Sequence, residues 1–508
     1  VDSLHPGIGF LSEDPNFARI VRQRGINFVG PKVNSMETMG NKSNAINTTM
    51  SIHVPVVPGS HGIVDTAERA AEISENIGFP VLLKAVHGGG GKGIQIVERP
   101  EQVHGLFHQV TTEAKNAFGN GDIYIEKFVT SLRHIEVQIL RDTHGNTRVL
   151  GLRDCSVQRN NQKLMEESGS TMLPAKLKKS VFGYAEQIAN TVDYHGAGTV
   201  EFIYDVPNDA IYFMEMNTRL QVEHPVTEVV TAVDIVGMQF AIASGESISA
   251  LKAKEKGYGL EVRINAEKAV QDADGNVSFV PTPGEITECV LPEVSGIDLI
   301  STVAKGKVIS PFYDSLIIQI ICHGKSRGDA ISKMHAYLDS VTIHGICTNI
   351  SLIKRILKDK TFIEGKYDTK YLPGFLNRID ASVLIQEIEK DSGSDSSALD
   401  PEMIRIEGSD EIKVLAPSTG VFYLTPSPSE QEYIHLGDVI STGDVLCQLE
   451  AMKMFSPVSL NSFSTDSGEL YQSDKKYRVI RINLNSGQQV NEGDLLFVIK
   501  PVLPTSTP

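Results

Sequence analysis

The residues best suited to chemistry are two glutamates on neighbouring strand-like segments. Segments 199–204 and 211–216 are rich in β-branched and aromatic residues, with turn-forming residues between them. If Asn208 is the centre of that turn, Glu201 and Glu215 face each other. Facing carboxylates repel each other unless a cation lies between them, so the pattern predicts a Mg²⁺ site. The alternatives are a solvent-screened surface pair and a one-residue register shift that separates the two groups.

The segment that begins at Glu215 continues with a polar series. In an extended chain every second side chain lies on the same face, and the other face of residues 215–223 is apolar at Met216, Leu220 and Val222. A purely structural strand needs no alternation of acid, amide and cation on its polar face. We therefore expect one site formed by the following side chains: Glu215, Asn217, Arg219, Gln221 and Glu223.

Four consecutive glycines at 88–91 lie between strand-like segments 79–86 and 94–97. Glycines suit a loop whose backbone N–H groups approach an anion. The segment contains G-x-G-x-x-G but opens no helix, and Lys92 lacks the following serine or threonine of a P-loop, so both of those nucleotide motifs are rejected. The pattern predicts a β-hairpin lid over phosphates, and a triphosphate would supply a partner for Lys84 in the first strand.

The C-terminal part of the chain contains an internal repeat. Residues 437–446 recur in similar form at 487–496, and each copy ends in an apolar run. The repeat predicts two equivalent halves of a small β-sandwich. Lys453 lies at the hairpin between the copies, flanked by two methionines. A lysine at a turn is ordinarily a solvated charge, but apolar methionines gain little from burial at a tip, so a function for Lys453 is favoured.

Composition limits the classes of protein that these motifs fit. The 508 residues carry a net charge of −16, which disfavours nucleic acid and anionic membranes as partners. Apolar runs such as 229–243 are interrupted and too short to span a bilayer. The five cysteines form no C-x-x-C pair, so we expect no zinc site, no disulfides and a cytoplasmic location. Because the chain opens at Val1, we expect a fragment, and an organellar targeting peptide stays an alternative.

The chain has two regions of different composition. Residues 1–380 alternate β- and α-type segments, which predicts one mixed α/β body. Residues 381–410 are small, polar and charged, which predicts a flexible linker, and a second domain begins near Glu411.

Short motifs occur in a fixed order along the chain. They are His5-Pro6-Gly7, Phe10-Leu11-Ser12-Glu13, Gly30-Pro31, Met39-Gly40-Asn41-Lys42, Glu126-Lys127, Arg133-His134-Ile135-Glu136, Arg153-Asp154-Cys155-Ser156, Glu215 to Arg219, Gln221 to Pro225 and Arg263 to Glu267. In this order they resemble the biotin carboxylase family of ATP-grasp enzymes. Residues 450–454 resemble the biotinylation site of a biotin carboxyl carrier domain.

The resemblance implies a fold and a division into domains. The fold class is an α/β (α+β) ATP-grasp carboxylase body followed by a small all-β biotinyl domain, a flattened β-sandwich. The family's opening βαβ region has no counterpart before Val1, so N-terminal truncation is expected. The implied domains are an N-terminal remnant at 1–40, the ATP-grasp domain with its lid at 41–250, the C-terminal carboxylase domain at 251–380, the linker at 381–410 and the biotinyl domain at 411–501.

The resemblance also implies a role for each matching residue. Mg²⁺ (or Mn²⁺) would bind Glu201, Glu215 and Asn217. The residues that would bind ATP are Lys42, Lys84, Gly88, Gly89, Gly90, Gly91 and His134 at the phosphates, Glu126, Lys127 and Val129 at the adenine, and Gln158 elsewhere in the cofactor site. Bicarbonate would be oriented by Lys163, Arg219, Gln221 and Val222. Glu223 would deprotonate bicarbonate for attack on the γ-phosphate, Arg263 would stabilise the enolate of biotin, and Lys453 would carry biotin covalently.

The resemblance implies partners as well. No carboxyltransferase domain is recognisable, so a separate carboxyltransferase subunit, a biotin protein ligase and a homo-oligomer formed through the body are expected. Residues 425–433 resemble the "thumb" insertion of acetyl-CoA carboxylase carriers, and the short linker leaves no room for the extra domain of propionyl- or methylcrotonyl-type enzymes. Both features favour acetyl-CoA as the acceptor.

Several departures from the family pattern keep alternatives open. Ile8 replaces a tyrosine, Asn161 replaces a histidine, and His87 and Gln319 also differ. One alternative is therefore a biotinylated carrier and assembly scaffold with degenerate carboxylase activity, and another is a fragment of a pyruvate or urea carboxylase. A lipoyl domain fits the methionines around Lys453 poorly. The arm at 461–477 is longer than the family norm and has no assigned role.

Overall fold

The computed structural model describes residues 1–85, 94–118, 120–160, 162–169, 173–271, 275–393, 404–405, 410–426, 430–452, 454–460 and 476–502. The chain divides into two compact units. Unit 1 comprises Val1–Glu261, Ile321–Ala330 and Glu364–Leu372, and unit 2 comprises Val262–Ile320, Ile331–Ile363 and Pro373–Pro508. This division cuts through the region 1–380 that the sequence predicts as one body.

Unit 1 contains the first strands and helices. The strands are β1 Ser3–Leu4, β2 Asn27–Phe28, β3 Val81–Ala85, β4 Ile94–Val97, β5 Ile123–Lys127, β6 Leu132–Arg141, β7 Thr147–Arg159, β8 Gln162–Ser168, β9 Gly196–Asp205 and β10 Ala210–Asn217. The helices are α1 Pro15–Gln23, α2 Val33–Gly40, α3 Lys42–Ser51, α4 Ala67–Ile77, α5 Val103–Phe118, α6 Ala175–Thr191, α7 His224–Thr231 and α8 Ile235–Ala243, with short 3₁₀ helices at Phe10–Glu13 and Pro100–Gln102.

The remaining elements either belong to unit 2 or contain a boundary between the two units. The crossing elements are β11 Tyr258–Asn265, β18 Leu316–Gly324, α9 Arg327–Leu338 and α12 Tyr371–Leu376. Unit 2 contains the strands β12 Glu267–Gln271, β13 Val277–Pro281, β14 Gly284–Glu285, β15 Glu288–Val290, β16 Ile297–Ser301, β17 Val308–Ile309, β19 Thr342–His344, β20 Ile404–Arg405, β21 Ile412–Leu415, β22 Gly420–Tyr423, β23 Val439–Ser441, β24 Val445–Ala451, β25 Met454–Ser459, β26 Lys476–Ile482, β27 Gln488–Val490 and β28 Leu495–Pro501. Its helices are α10 Ile350–Lys358, α11 Lys360–Ile363 and α13 Ala381–Asp391.

Five strands of unit 1 are hydrogen-bonded neighbours in the order β10-β9-β6-β7-β8. One face of this sheet is apolar and packs against α6, in a core to which β6 contributes Ile135, Val137 and Ile139. The alternate residues of β6, among them Glu136 and Gln138, are also fully buried. Because successive side chains of a strand point to opposite faces, the second face of the sheet is both buried and polar.

The predicted hairpin around the glycine-rich segment is confirmed. Strands β3 and β4 pair antiparallel, with Lys84 opposite Ile94, and β5 pairs with the other edge of β3. Residues 86–93, which include the four glycines and His87, lie outside the described residues.

The predicted β-sandwich is also confirmed. One sheet has the order β20-β21-β28-β26-β23 and the other β25-β24-β22-β27. The two repeat copies form equivalent turns, since Asp444 accepts a hydrogen bond from the backbone N–H of Ser441 and Asp494 from that of Asn491, both at 2.7 Å. The two sheets enclose an apolar core: Ile412, Val414, Ala416, Phe422, Leu424, Ile434, Ile440, Leu446, Cys447, Leu449, Val458, Leu460, Tyr477, Val479, Val490, Leu496, Phe497 and Ile499.

The predicted linker at 381–410 is wrong over its first part, because residues 381–391 form helix α13. Asp380 caps the helix by accepting hydrogen bonds from the N–H groups of Ser382 and Val383. Ala381, Leu384 and Ile388 are buried at helical spacing, so three apolar residues outweigh the polar composition of the segment. Residues 394–403 and 406–409 lie outside the described residues.

In the described ranges, no single helix is long and apolar enough to cross a membrane. The pair α7 and α8 passes that test only when both helices are taken together, and the chain bends by 95° between them.

Candidate active site

Four charged residues form one row across four neighbouring strands. Glu215 on β10 is paired in register with Glu201 on β9. Glu136 on β6 is the register partner of both Glu201 and Arg153, and Arg153 lies on β7. The predicted pairing of Glu201 with Glu215 is thus confirmed. Like charges opposite each other destabilise a sheet, so three carboxylates in one row need cations beside them.

The Glu201–Glu215 pair depends on an irregularity in the hairpin. Close to the turn, residues pair as Phe213 with Phe202, a register that would place Met214 opposite Glu201. A shift between Phe213 and Glu215 brings Glu215 into that place instead. The register predicted for a turn centred on Asn208 is therefore wrong for the residue pairs near the turn. Beyond the shift, which acts as a β-bulge does, the predicted register is right.

Glu201 is buried and accepts contacts from four side chains. Its Oε1 accepts hydrogen bonds from Nδ2 of Asn217 at 2.6 Å and Nε2 of Gln221 at 2.7 Å, and Nζ of Lys163 lies 3.5 Å away. Its Oε2 lies 2.8 Å from Nε2 of His134. Burial raises the pKa of Glu201, but the hydrogen bond and charge of His134, followed by the charge of Lys163, bring it down to about 2. The group is therefore an anionic carboxylate.

Lys163 on β8 joins three of the carboxylates. Its Nζ donates to Oε1 of Glu136 and, at 2.7 Å, to Oε1 of Glu223, in addition to its contact with Glu201. Burial lowers the pKa of Lys163, but the charges of Glu136 and Glu223 raise it well above the ordinary value. Lys163 is therefore an ammonium ion that holds together acids from β6, β9 and the start of α7.

The expectation that residues 215–223 form one extended face is wrong beyond Asn217. Strand β10 ends at Asn217, and Glu223 is the N-cap residue of α7. The intervening loop still brings Gln221 and Glu223 to the carboxylates, through the contacts with Glu201 and Lys163 described above. Arg219 has two side-chain partners, since its Nε donates to Oε2 of Glu13 at 3.1 Å and its Nη2 donates to Oδ1 of Asn217 at 3.4 Å. Val222, between Gln221 and Glu223, is half-buried.

Two residues of the site carried no role in the sequence predictions. Glu136 and Arg153 are fully buried, and Arg153 donates to Oε2 of Glu136 at 3.0 Å. Segments 132–141 and 147–159 hold several other charged and polar residues, so no signal in the sequence singled out these two.

The donor atoms of this row suit a divalent cation. Ligating atoms of His134, Glu136 and Glu201 all lie within 4.8 Å of one another. Carboxylate oxygens are the ligands that Mg²⁺ prefers, and Glu201 is common to this group and to the predicted set with Glu215 and Asn217. Mg²⁺ therefore fits best around Glu201.

The predicted ATP-binding residues lie on several elements of unit 1. Lys84 on β3 already has a partner, because its Nζ donates to Oε2 of Glu126 at 2.5 Å, so the argument that it needs a triphosphate is corrected. Lys42 is exposed at the first position of α3. Burial, followed by the charge of Glu201, raises the pKa of Glu215, and the charges of His134 and Lys42 offset only part of this rise. The others are Lys127 at the end of β5, the buried Val129 after it, and Gln158, which pairs in register with Lys163.

Arg263 belongs to unit 2, at the C-terminal half of β11. Its carbonyl oxygen accepts a hydrogen bond from Nδ2 of Asn349 at 3.0 Å, and its side chain is half-buried. The predicted residues Gly88, Gly89, Gly90, Gly91 and Lys453, and the departure Asn161, lie outside the described residues.

The predicted carrier hairpin is formed by β24 and β25. Ala451 pairs with Met454 at the end of the ladder between these two strands. Met452 has a φ of 52°, in the left-handed region that tight hairpin turns use. The expectation that both methionines gain little from burial is wrong for Met452, which is 1% exposed and whose N–H donates to the carbonyl of Pro311.

Family models match four parts of the chain. Residues 1–36 match "Biotin carboxylase, N-terminal domain" and residues 41–251 match "Carbamoyl-phosphate synthase L chain, ATP binding domain". Residues 261–374 match "Biotin carboxylase C-terminal domain" and residues 412–499 match "Biotin-requiring enzyme".

Curated proteins and solved structures agree with these matches. Biotin carboxylase 1 of Bacillus subtilis is 43% identical over 374 residues, which cover 73% of this chain and 82% of that protein. The small subunit of 2-oxoglutarate carboxylase from Hydrogenobacter thermophilus is 42% identical, over 73% of this chain and 78% of that protein. A biotin carboxylase domain dimer of the Hydrogenobacter enzyme, solved with MgADP, ADP and bicarbonate, has a TM-score of 0.64 and 41% identity over 74% of this chain and 82% of that chain.

The matches and the site define an ATP-dependent ligase joined to a biotin carrier domain. The chain belongs to the biotin carboxylase family.

Proposed function

We propose that this chain uses ATP and Mg²⁺ to carboxylate biotin with bicarbonate, the biotin being attached to Lys453. The observation that carries the proposal is the contact of Lys163 with Glu223 and Glu201, because it joins a candidate base to a candidate metal ligand. Nucleotide, magnesium and bicarbonate are bound in the related Hydrogenobacter structure, which supports the same ligands here.

Metal and nucleotide would be held by the strands of the carboxylate row and by the elements around them. Glu201, Glu215 and Asn217 would hold Mg²⁺, which would neutralise phosphate charge during transfer. The groups proposed at the phosphates are the side chains of Lys42, Lys84 and His134 and the backbone N–H groups of glycines 88–91. The residues proposed at the nucleoside or elsewhere in its site are Glu126, Lys127, Val129 and Gln158.

Bicarbonate would lie between Lys163, Arg219, Gln221 and Val222. Bicarbonate is a weak nucleophile, so the site must orient it and remove its proton. Glu223, held by Lys163, would accept that proton while the bicarbonate oxygen attacks the γ-phosphorus, giving carboxyphosphate and ADP. Arg263 would act on biotin in the carboxylation that follows.

The test is ATP hydrolysis that depends on both bicarbonate and free biotin. We expect turnover by the purified protein and loss of that turnover in Glu223→Gln, which keeps the size of the side chain. Wild-type turnover no greater than that of Glu223→Gln would contradict the proposal. If Lys453 were biotinylated in that inactive protein, the carrier and scaffold alternative would be favoured.

The carrier function is tested separately. Intact mass spectrometry after incubation with a biotin protein ligase, biotin and ATP should show one added biotin. Lys453→Arg keeps the charge and should show none. Modification that persists in the variant would place the biotin on another residue.

We further propose that a carboxyltransferase subunit completes the reaction on an acyl-CoA, acetyl-CoA first, and that the body forms a homo-oligomer in the cytoplasm. The thumb-like segment 425–433 supports acetyl-CoA, and a related carboxylase domain is a dimer. Copurification with a carboxyltransferase tests the proposed subunit, and an assay with a panel of acyl-CoAs then tests the proposed acceptor. Faster carboxylation of another acyl-CoA would overturn the acetyl-CoA assignment.

A further inference from the structure

Arg153 is a fully buried cation at the β7 end of the charged row, next to Glu136. Its Nε donates to Glu136, and its two terminal nitrogens donate to four more acceptors. These are Oε1 of Gln138 at 2.8 Å, Oγ1 of Thr227 at 3.0 Å, Oγ1 of Thr199 at 3.0 Å and Oε1 of Gln221 at 2.7 Å. All five N–H donors of a guanidinium are therefore used inside the protein.

These contacts join elements that are distant in the sequence. Glu136 and Gln138 lie on β6 and Thr199 on β9, whereas Gln221 lies in the loop after β10 and Thr227 in α7. The loop and the helix carry the residues proposed to orient and deprotonate bicarbonate. Arg153 therefore links this loop and helix, by hydrogen bonds, to the sheet that bears the proposed metal ligands.

The contact with Gln221 also fixes which way its amide points. Arg153 can only donate, so the amide presents Oε1 to it and directs Nε2 toward Glu201, to which Nε2 donates at 2.7 Å. A flipped amide would place its NH₂ group against the guanidinium, leaving two donors without an acceptor, and would face Glu201 with an oxygen. Arg153, together with Glu201, therefore keeps the Nε2 of Gln221 on the side of the site where an anionic substrate would bind.

We propose that Arg153 is a positioning residue for bicarbonate, acting through the orientation of Gln221 and the placement of the loop that carries it. The inference rests on the proposed function, in which Gln221 contacts bicarbonate. It assigns Arg153 no contact with substrate. Its loss should therefore act on bicarbonate binding more than on ATP binding.

The test measures KM for bicarbonate and KM for ATP in the full chain, with free biotin as acceptor. Arg153→Lys keeps the charge but cannot reach both Gln221 and the threonines in the planar geometry of a guanidinium. We expect KM for bicarbonate to rise by about ten-fold, the scale of one lost charged hydrogen bond, and KM for ATP to change less than about two-fold.

Arg133→Lys is the matched control. Arg133 is a second buried arginine of the same sheet, and its Nε donates to Asp154 at 2.8 Å with no contact to Gln221. Both variants should lose thermal stability, but only Arg153→Lys should raise KM for bicarbonate. Equal rises in the two variants would overturn the inference, because they would reflect general loosening of the sheet.

A second set of variants separates this inference from the proposed role of Gln221. Gln221→Met should raise KM for bicarbonate by itself, and adding Arg153→Lys should then cause little further rise. If Gln221→Met leaves KM unchanged, the role of Gln221 fails and the inference fails with it. If Gln221→Met raises KM and Arg153→Lys does not, the inference alone fails.

Thr199→Val covers the case in which Arg153→Lys does not fold. Thr199 accepts from the same guanidinium nitrogen that donates to Gln221. This isosteric change removes one of the two acceptors of that nitrogen, so the guanidinium should hold Gln221 less firmly. KM for bicarbonate should rise by about two- to three-fold, with KM for ATP unchanged. An unchanged KM for bicarbonate would count against the inference.

Discussion

The sheet of unit 1 and the biotinyl sandwich of unit 2 have opposite interiors. On its polar face the sheet buries Glu136, Arg153 and Glu201, which are at most 3% exposed. The sandwich encloses a core in which all the clustered residues are apolar, among them Phe422 and Phe497, whose ring centres are 5.8 Å apart. The buried polar face of the sheet contains charged side chains, whereas the core of the sandwich contains only packed apolar side chains.

This difference follows from where each region does its chemistry. The sheet must present anions and cations at a site shielded from water, so its charges are buried and each must be paired. The sandwich only has to hold the hairpin of β24 and β25 in place, because its proposed function depends on one residue, Lys453, which lies between those two strands in the sequence. A core change in the sheet should therefore alter chemistry and stability together, whereas a core change in the sandwich should alter stability alone.

The largest effect is expected for Lys163→Met in the charged interior. The change removes the cation shared by Glu136, Glu201 and Glu223 and leaves buried carboxylates without it. Breaking a buried ion pair from one side costs about 3–5 kcal/mol. Bicarbonate-dependent ATP hydrolysis should fall by at least about 100-fold, since positioning and charge stabilisation are lost together.

Lys178→Met is the matched control for that change. Lys178 pairs with Glu255 in the same unit, and neither residue is a member of the charged row. This variant should keep its activity and lose about 1 kcal/mol or less. Retention of more than half of the wild-type rate by Lys163→Met would contradict the view that the charged interior serves catalysis.

The apolar interior is tested by Phe422→Ala. Removing a fully buried phenylalanine should cost about 3–5 kcal/mol, similar to the cost in the sheet. Carboxylation of free biotin should nevertheless stay within about two-fold of wild type, because no predicted carboxylase residue lies in this core. Hydrogen exchange in β22, β24 and β28 reports the stability, and Phe455→Ala, at an exposed position of β25, is the control. A large loss of free-biotin carboxylation would contradict the separation of the two interiors.

The two regions also differ in how much the sequence predicts. The repeat at 437–446 and 487–496 predicts the sandwich and its hairpin, because turn glycines and alternating apolar residues are local signals. The carboxylate row depends on residues brought together from β6, β7, β9 and β10, and strand order is not a local property. The strand pattern predicted Glu201, Glu215 and Glu223 as site residues and the resemblance supplied their roles, whereas the register shift at Glu215 and the five contacts of Arg153 needed coordinates.

A smaller effect is expected from a buried charge of unit 1 that has no proposed catalytic role. Asp142 accepts hydrogen bonds from the N–H groups of His144, Asn146 and Ile248. Burial raises its pKa, but these hydrogen bonds and that of the Asn146 side chain lower it to about 2. A pKa below the ordinary value of 3.8 means that the ionised group stabilises the folded state by about 2 kcal/mol.

Asp142→Asn should therefore cost about 2 kcal/mol at neutral pH, with activity little changed. The contribution is fully present above about pH 4, where the unfolded group is ionised, and is lost as the pH falls toward 2. The gap between the melting temperatures of wild type and variant should narrow over that range. The control Asp298→Asn changes an exposed residue of β16. A gap that does not depend on pH would show that the charge of Asp142 is not the cause.

The smallest effects are expected at the two repeated turns of the sandwich. Asp444 and Asp494 make the same hydrogen bond to a backbone N–H three residues earlier, at the same distance of 2.7 Å. Both side chains are exposed, so Asp444→Ala and Asp494→Ala should each cost about 0.5–1 kcal/mol, and the double variant should show the sum. Hydrogen exchange of the adjoining strands measures both changes in the full chain. Equal contacts in equal surroundings must contribute equally to stability. If the free-energy costs of the two substitutions differ by more than about three-fold, the two turns share a geometry but contribute unequally to the stability of the sandwich.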